Sequence, residues 1–408
     1  MAKKSKQTRI VEATNRYLIA NYGRLPVAMV SGKLSRITDA DGKEYIDLFA
    51  GFGSGGIAGH CHPAIVRAIR RQAGKLLSCG NLFTNEPQVR LAQKITAAGF
   101  GGKVFYCHSG AEANEAALKL ARLAARKADE AAGRNINNPY GGRYKIISFH
   151  NCFHGRTMGG LSLTPEKYQK GFEPMVPGNV KVDYGDLQAV RAAVDDDTAG
   201  IFVEPIQGEG GVNMPSRQFM QGLRQLCDQK ALTLVCDEVW TAPARTGRWY
   251  AHQLYDIQPD VMTLGKATGG GLPVAAMVAA PKVQDVFQPG NHGCTMGGNP
   301  LCAAAGLAAY TLVEKEGLLE QALLKGRRIT EQLRNANLPC VKDIRGAGLM
   351  LGIELDKPGK DAVTACLDRG LLINCTQEKV LRLAPALTIG EDDLAAGLDI
   401  LTAVLKGV

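Results

Sequence analysis

Three things are missing from this 408-residue sequence, and each absence removes a class of protein. No run approaches the roughly 18 apolar residues that a membrane span needs, and the lysine-rich start is not followed by an apolar export segment. The eleven cysteines include no C-x-x-C pair, so neither a dithiol redox motif nor a zinc ribbon is encoded. An odd number of scattered cysteines, several inside apolar runs, fits a reducing compartment where free cysteine acts as a small hydrophobe. Repeats and low-complexity tracts are also lacking. These absences predict a soluble, unexported, cytoplasmic chain.

What is present fits a globular protein with sizeable cores. Hydrophobic residues make up 45% and charged residues 21%. A chain this long exceeds the roughly 250–300 residues that one core serves, so two or more domains are expected. The net charge of +9 arises from 48 basic against 39 acidic residues. Only MAKKSKQTR is a basic cluster, and it reads as a solvated terminus rather than a nucleic-acid contact. The excess favours anionic metabolites through a weak, salt-screened field.

Short apolar runs alternate with helical stretches, the pattern of a mostly parallel α/β sheet. The spacing predicts a helix over residues 10–25, then a hairpin turning at Asp41-Gly42. Helices follow from Pro63 to Gly74 and from Val89 to Ala98, and a buried strand spans Lys103 to Cys107. Ser109 and Glu112 form a capping box before a long helix ending near Ala132. Its N-terminus offers free N–H groups to a phosphate. Further strands cover Tyr144–Phe149, Ile201–Val203, Leu232–Cys236 and Val261–Leu264. Toward the C-terminus, Gly348–Glu354, Leu371–Asn374 and Val380–Ala384 read as strands of a smaller α+β domain, closed by a helix from Glu391.

Gly51, Gly53 and Gly56 satisfy G-x-G-x-x-G. No helix opens there and no acidic residue stands about 20 positions on, so an NAD-binding oxidoreductase is the weaker alternative. His60 and His62 lack a third ligand and read as a helix-capping turn, so no metal is expected. Glu204 and Glu209 in EPIQGEGG are candidate acids. Phe153, His154 and Arg156 leave one strand together, where a ring could stack on a flat cofactor and the guanidinium clamp a carboxylate.

Asp237 closes one apolar run and Lys266 sits two residues past another, at strand ends where open α/β sheets bind ligands, so the two charges are expected to meet in one crevice. A lysine amine for a Schiff base and a carboxylate that keeps a pyridine nitrogen protonated are what pyridoxal phosphate (PLP) chemistry requires.

The strings SGAEANEAALKLAR, FHNCFHGRT, VEPIQGEGGV, CDEV, ARTG, LGKATGGG, GGNPL and RGAGLMLGIEL, in this order, resemble the class III, fold-type I PLP aminotransferases, and among them the acetylornithine/ornithine branch. The resemblance implies a large domain over residues 59–297 with a mostly parallel seven-stranded sheet. A smaller α+β domain would combine residues 1–58 and 298–408. Lys266 would hold PLP and shuttle protons, Asp237 would pair with the ring nitrogen, and Phe153 and Val239 would cover its two faces. Ser109, Gly110 and Ala111 would bind the phosphate, completed by Thr295 of a second subunit, which requires a homodimer with shared active sites. Arg156 would hold the donor's far carboxylate and Arg382 that of 2-oxoglutarate, with Glu209 as the gate on Arg382. The implied reaction moves the terminal amino group of N2-acetylornithine to 2-oxoglutarate. Ornithine, succinyl-diaminopimelate, 4-aminobutyrate and a carrier-linked lysine are the other donors of such enzymes. The sequence departs from the family pattern at Trp240, where glutamine is usual, at Ala111, where threonine is usual, and in the longer Gly51–Gly56 loop.

Overall fold

The computed structural model describes residues 4–50, 56–134 and 137–407; Gly51 and Gly53 lie outside the described residues. A seven-stranded sheet runs in the order Lys103–Cys107, Ala275–Ala279, Val261–Leu264, Thr233–Asp237, Thr198–Val203, Lys145–Phe149, Asn179–Val182. Six strands are parallel to one another, and Ala275–Ala279 is antiparallel to both neighbours. That alanine-rich strand was not read from the sequence.

Both faces of the sheet are buried, which explains the unbroken apolar runs. Leu234 and Cys236 point into a core shared with the helices Glu86–Ala98, Arg217–Lys230 and Pro300–Lys315. Val235, between them, joins Ala117, Leu120 and Ala121 of the Gly110–Ala131 helix on the opposite face. Alternation then sends Asp237 toward that same helix.

A second core joins the N-terminal strands to the C-terminal part of the chain. Glu44–Asp47 pairs in parallel with Leu371–Leu372, and Leu48 packs with Leu371, Leu394 and Leu398. The antiparallel sheet Val341–Ala347, Met350–Leu355, Val380–Leu383, Asn374–Thr376 lies beside them. The Pro300–Lys315 helix serves both cores, through Ala303 and Tyr310 in one and Ala305 and Leu312 in the other.

Two sequence expectations are corrected here. The first helix is Lys6–Tyr17 rather than 10–25, because the Ser5 side chain accepts the Thr8 N–H and starts it earlier. Leu371–Asn374 is not one strand: Leu371–Leu372 pairs with Ile46 and Asp47, whereas Asn374–Thr376 pairs with Val380–Arg382 in the other sheet. The capping box at Ser109 and Glu112 is as expected, and His62 caps the Pro63–Ala73 helix by accepting the Ala64 N–H.

Candidate active site

Asp237 is the last residue of a central strand and is buried. Its Oδ2 accepts from Asn114 Nδ2 at 2.7 Å and lies 2.7 Å from His154 Nδ1; its Oδ1 accepts the Val239 N–H at 3.0 Å. Asn114 is itself fixed, accepting from Thr263 Oγ1 and donating to the His154 carbonyl. Burial pushes the Asp237 carboxyl up, but the hydrogen bond and charge of His154, then the Val239 and Asn114 donors, outweigh it and hold the group below the usual range. Burial likewise opposes charge on His154, while Cys152 and Asp237 raise its imidazole well above the ordinary value. The result is a preformed anion in an apolar sheet.

Lys266 follows the neighbouring strand through Gly265. Its backbone is at φ 33°, in the quadrant that L residues rarely adopt, a strain of about 1–3 kcal/mol that marks functional turns. Burial lowers the amine below the ordinary lysine value; Glu209, Asp237 and Glu204 pull it partly back, and Arg382 adds to the lowering. The two strand-end charges therefore do meet in one crevice.

Trp240 forms another side of that crevice. The Lys266 amine is 5.8 Å from its ring, and the Arg382 guanidinium lies 5.1 Å from Trp240 and 5.0 Å from Phe49. Arg382, only 1% exposed, sits on an inner strand of the smaller sheet. It donates to Glu209 Oε1 at 2.8 Å, to the Gly208 carbonyl at 3.2 Å, and through Nε to Asn374 Oδ1 at 2.8 Å. The loop carrying Trp240 is pinned by buried Glu238, which accepts the Ala251 and His252 N–H groups.

The phosphate candidates stand at the start of the Gly110–Ala131 helix. A Cβ on Gly110 would lie 2.5 Å from Val239 Cγ1, so glycine is what lets the helix end approach Val239. Ser109 Oγ is shared between the Glu112 N–H and the Glu112 carboxylate. Ala111 packs against Gly155, and Thr295 is exposed. Phe153 meets Tyr168 edge to face at 6.0 Å. Arg156 is exposed over Tyr168 at 4.3 Å, and among the described residues no carboxylate pairs with it.

Three contributors carried no assigned role in the sequence reading. Asn114 and His154 orient Asp237, and the only signal was their position in the motifs that exit neighbouring strands. Glu204, read only as a candidate acid, is buried and accepts from the Phe153 and Gly208 N–H groups. Its carboxyl is pushed up to about 7, first by burial and then by Asp237, against the pull of His154.

A sheet of this topology with a lysine and a carboxylate at adjacent strand ends defines a fold-type I PLP enzyme. Residues 17–405 match the model of the class-III aminotransferases, and the chain belongs to that family. The acetylornithine aminotransferase of Caldanaerobacter subterraneus is 43% identical over 398 residues, covering 96% of this chain and 98% of that protein. That of Methanocaldococcus jannaschii is 40% identical, covering 98% of each chain. Among solved structures, the Toxoplasma gondii ornithine aminotransferase superposes with a TM-score of 0.93 at 33% identity, covering 99% of this chain and 96% of that one. The Elizabethkingia anophelis acetylornithine aminotransferase gives 0.86 at 32% identity, covering 100% of both. The enzyme is thus a PLP-dependent aminotransferase, using a small-molecule amino donor and a keto acid.

The residues present fit the cofactor. A carboxylate held anionic in a buried setting suits a cationic ring nitrogen, a lysine of lowered basicity suits an aldehyde, and a helix N-terminus suits a phosphate.

Proposed function

We propose that this enzyme transfers the terminal amino group of N2-acetylornithine to 2-oxoglutarate, giving N-acetylglutamate 5-semialdehyde and glutamate in a ping-pong cycle of arginine biosynthesis. The observation that carries the reading is the Arg382–Glu209 ion pair at 2.8 Å, beside Lys266. A donor that reacts at its far end must not have its near carboxylate-binding arginine exposed, whereas 2-oxoglutarate needs that arginine free. A glutamate that pairs with Arg382 and then releases it meets both demands. The identities to acetylornithine aminotransferases support the same donor.

When bound, PLP supplies an aldehyde that exchanges amines and a ring that withdraws electrons. The chain's own groups do the rest. Lys266 would carry the proton between the donor's amine-bearing carbon and the aldehyde-derived carbon of the cofactor, aided by its lowered basicity. Asp237 keeps the ring nitrogen protonated, oriented by Asn114 and His154. Phe153 and Val239 exclude water from the two ring faces. Gly110 and Ala111 would direct N–H donors to the phosphate, Ser109 would add its hydroxyl on turning from Glu112, and Arg156 would hold the donor's distant carboxylate.

The reading includes a homodimer in which Thr295 of the partner subunit completes the phosphate site. The exposed apolar residues Leu76, Leu77, Leu82, Phe83 and Met296 support it. Asn81 ties that loop to the Thr295 loop by donating to the Cys294 and Gly297 carbonyls. Eleven free cysteines fit a cytoplasmic setting.

The deciding experiment is a panel of amino donors with 2-oxoglutarate. Acetylornithine should give the highest kcat/KM. A preference for free ornithine, to which the T. gondii neighbour points, would overturn the donor assignment alone. Borohydride should fix the cofactor on Lys266, and Lys266→Ala should stop both half-reactions while leaving the circular dichroism spectrum unchanged.

A further inference from the structure

Next to the phosphate-binding turn, three side chains of different ligand chemistry converge. His108 leaves the Lys103–Cys107 strand, Glu112 lies in the first turn of the following helix, and Cys294 arrives from a distant loop. His108 Nδ1 is 3.2 Å from Glu112 Oε1 and 3.3 Å from Cys294 Sγ. One donor atom from each residue lies within 4.8 Å of the others. An imidazole nitrogen has one in-plane position, filled by a proton or a lone pair, and here two groups compete for it.

The two spacings from His108 match those of a coordination sphere, and the third pair, Glu112 and Cys294, lies within 4.8 Å. Around tetrahedral zinc, with bonds of about 2.0 Å to N and O and about 2.3 Å to S, neighbouring ligand atoms stand roughly 3.3–3.5 Å apart. Both measured separations fall within a few tenths of an ångström of that range. The two oxygens of Glu112 also divide their work. Oε2 accepts from the His108 N–H, the Ser109 N–H and the Ser109 hydroxyl at 3.0, 2.8 and 2.9 Å. Among the described residues, Oε1 bonds only the imidazole. A cation on Oε1 would leave the helix cap intact. In the single chain all three side chains are partly exposed, which leaves room for water.

We propose that His108, Glu112 and Cys294 form a site for a zinc-like divalent cation, with water as the fourth ligand. A mixed N, O and S donor set suits borderline-soft zinc and not magnesium or calcium, which take oxygen ligands. Binding converts the Cys294 thiol to a thiolate and releases its proton to solvent. The ion joins the turn that carries Ser109 of one phosphate site to the loop whose Thr295 completes the partner subunit's site in the proposed dimer. No local pattern signals the site, because His108 and Cys294 are 186 residues apart.

The test is zinc binding to the PLP-loaded protein, by equilibrium dialysis with metal analysis and by X-ray absorption. One ion per chain is expected, with a single Zn–S distance of about 2.3 Å. Cys294→Ser and His108→Asn should each weaken binding by about 100-fold or more, beyond what loss of an outer partner costs. Cys61→Ser, at an exposed cysteine elsewhere, should leave binding unchanged. Failure of the wild type to retain zinc, absence of a sulfur neighbour, or undiminished binding in Cys294→Ser would each overturn the site.

Discussion

Arg382 is held by two kinds of force, and its neighbours make them separable. Glu209 supplies charge, while Trp240 and Phe49 supply aromatic faces at 5.1 and 5.0 Å. In the proposed gating, where Glu209 releases Arg382, the aromatic faces would still hold the guanidinium for an acceptor carboxylate. Trp240→Leu keeps an apolar side chain but removes the face, a loss of about 0.5–2 kcal/mol. The KM for 2-oxoglutarate should rise about fivefold, with a smaller change in the amino-donor half-reaction, as read by stopped-flow spectroscopy. Equal effects on both half-reactions would argue against the clamp. Glu204 gives a second residue-scale prediction. Its folded-state pKa of about 7 exceeds the ordinary 4.5, so the folded protein binds this proton more tightly than the unfolded chain. The stability it contributes is complete below pH 4.5 and is lost as pH rises through 7. Phe153 and Gly208 bond different carboxylate oxygens, so Glu204→Gln keeps an acceptor for only one of their N–H groups, a cost that does not vary with pH. The variant has no such pH-dependent loss. Its stability relative to wild type should therefore grow between pH 5 and pH 8, by at most about 3 kcal/mol. Urea midpoints across that range would show it, and a constant difference would contradict it.

At the scale of elements, the site depends on how closely the Gly110–Ala131 helix approaches the loop after Asp237. Gly110→Ala would place a carbon 2.5 Å from Val239 Cγ1, and the helix start must then retreat. Overpacking of this kind costs about 1–3 kcal/mol. The expected result is PLP retention weakened about tenfold or more with the secondary structure unchanged, measured by dialysis against dilute PLP. The same helix shows how far the sequence could be read. Its capping box was legible because Ser109 and Glu112 are three residues apart, as local hydrogen bonding demands. The role of Asn114 was not, because its partners Asp237 and Thr263 are brought to it only by sheet packing. Ala275–Ala279 was missed for a related reason: AAMVA has little strand propensity, and its place between two strands is set by tertiary pairing.

For the molecule as a whole, the exposed apolar loop around Phe83 is the main feature that a single chain leaves unexplained. Leu82 is 96% exposed and Phe83 69%, beside the loop bearing Thr295. Surfaces of this kind mark association sites. If the proposed homodimer forms through this loop, Phe83→Asp should leave a monomer in sedimentation velocity. Activity should fall with it, because Thr295 of the partner subunit would no longer reach the phosphate. A fully active monomer would remove the shared-site reading and leave the family assignment intact.

The sequence by itself determined the sheet class, the strand-end positions of Asp237 and Lys266, and the helix cap at Ser109. These depend on short-range periodicity and on chemistry that few residue types can perform. Tertiary structure alone decided the contacts of Trp240, the orientation of Asp237 by Asn114 and His154, and the meeting of His108 with Cys294. Each of those joins segments far apart in the chain. Such contacts are fixed by how sheets and helices pack, which no local pattern encodes.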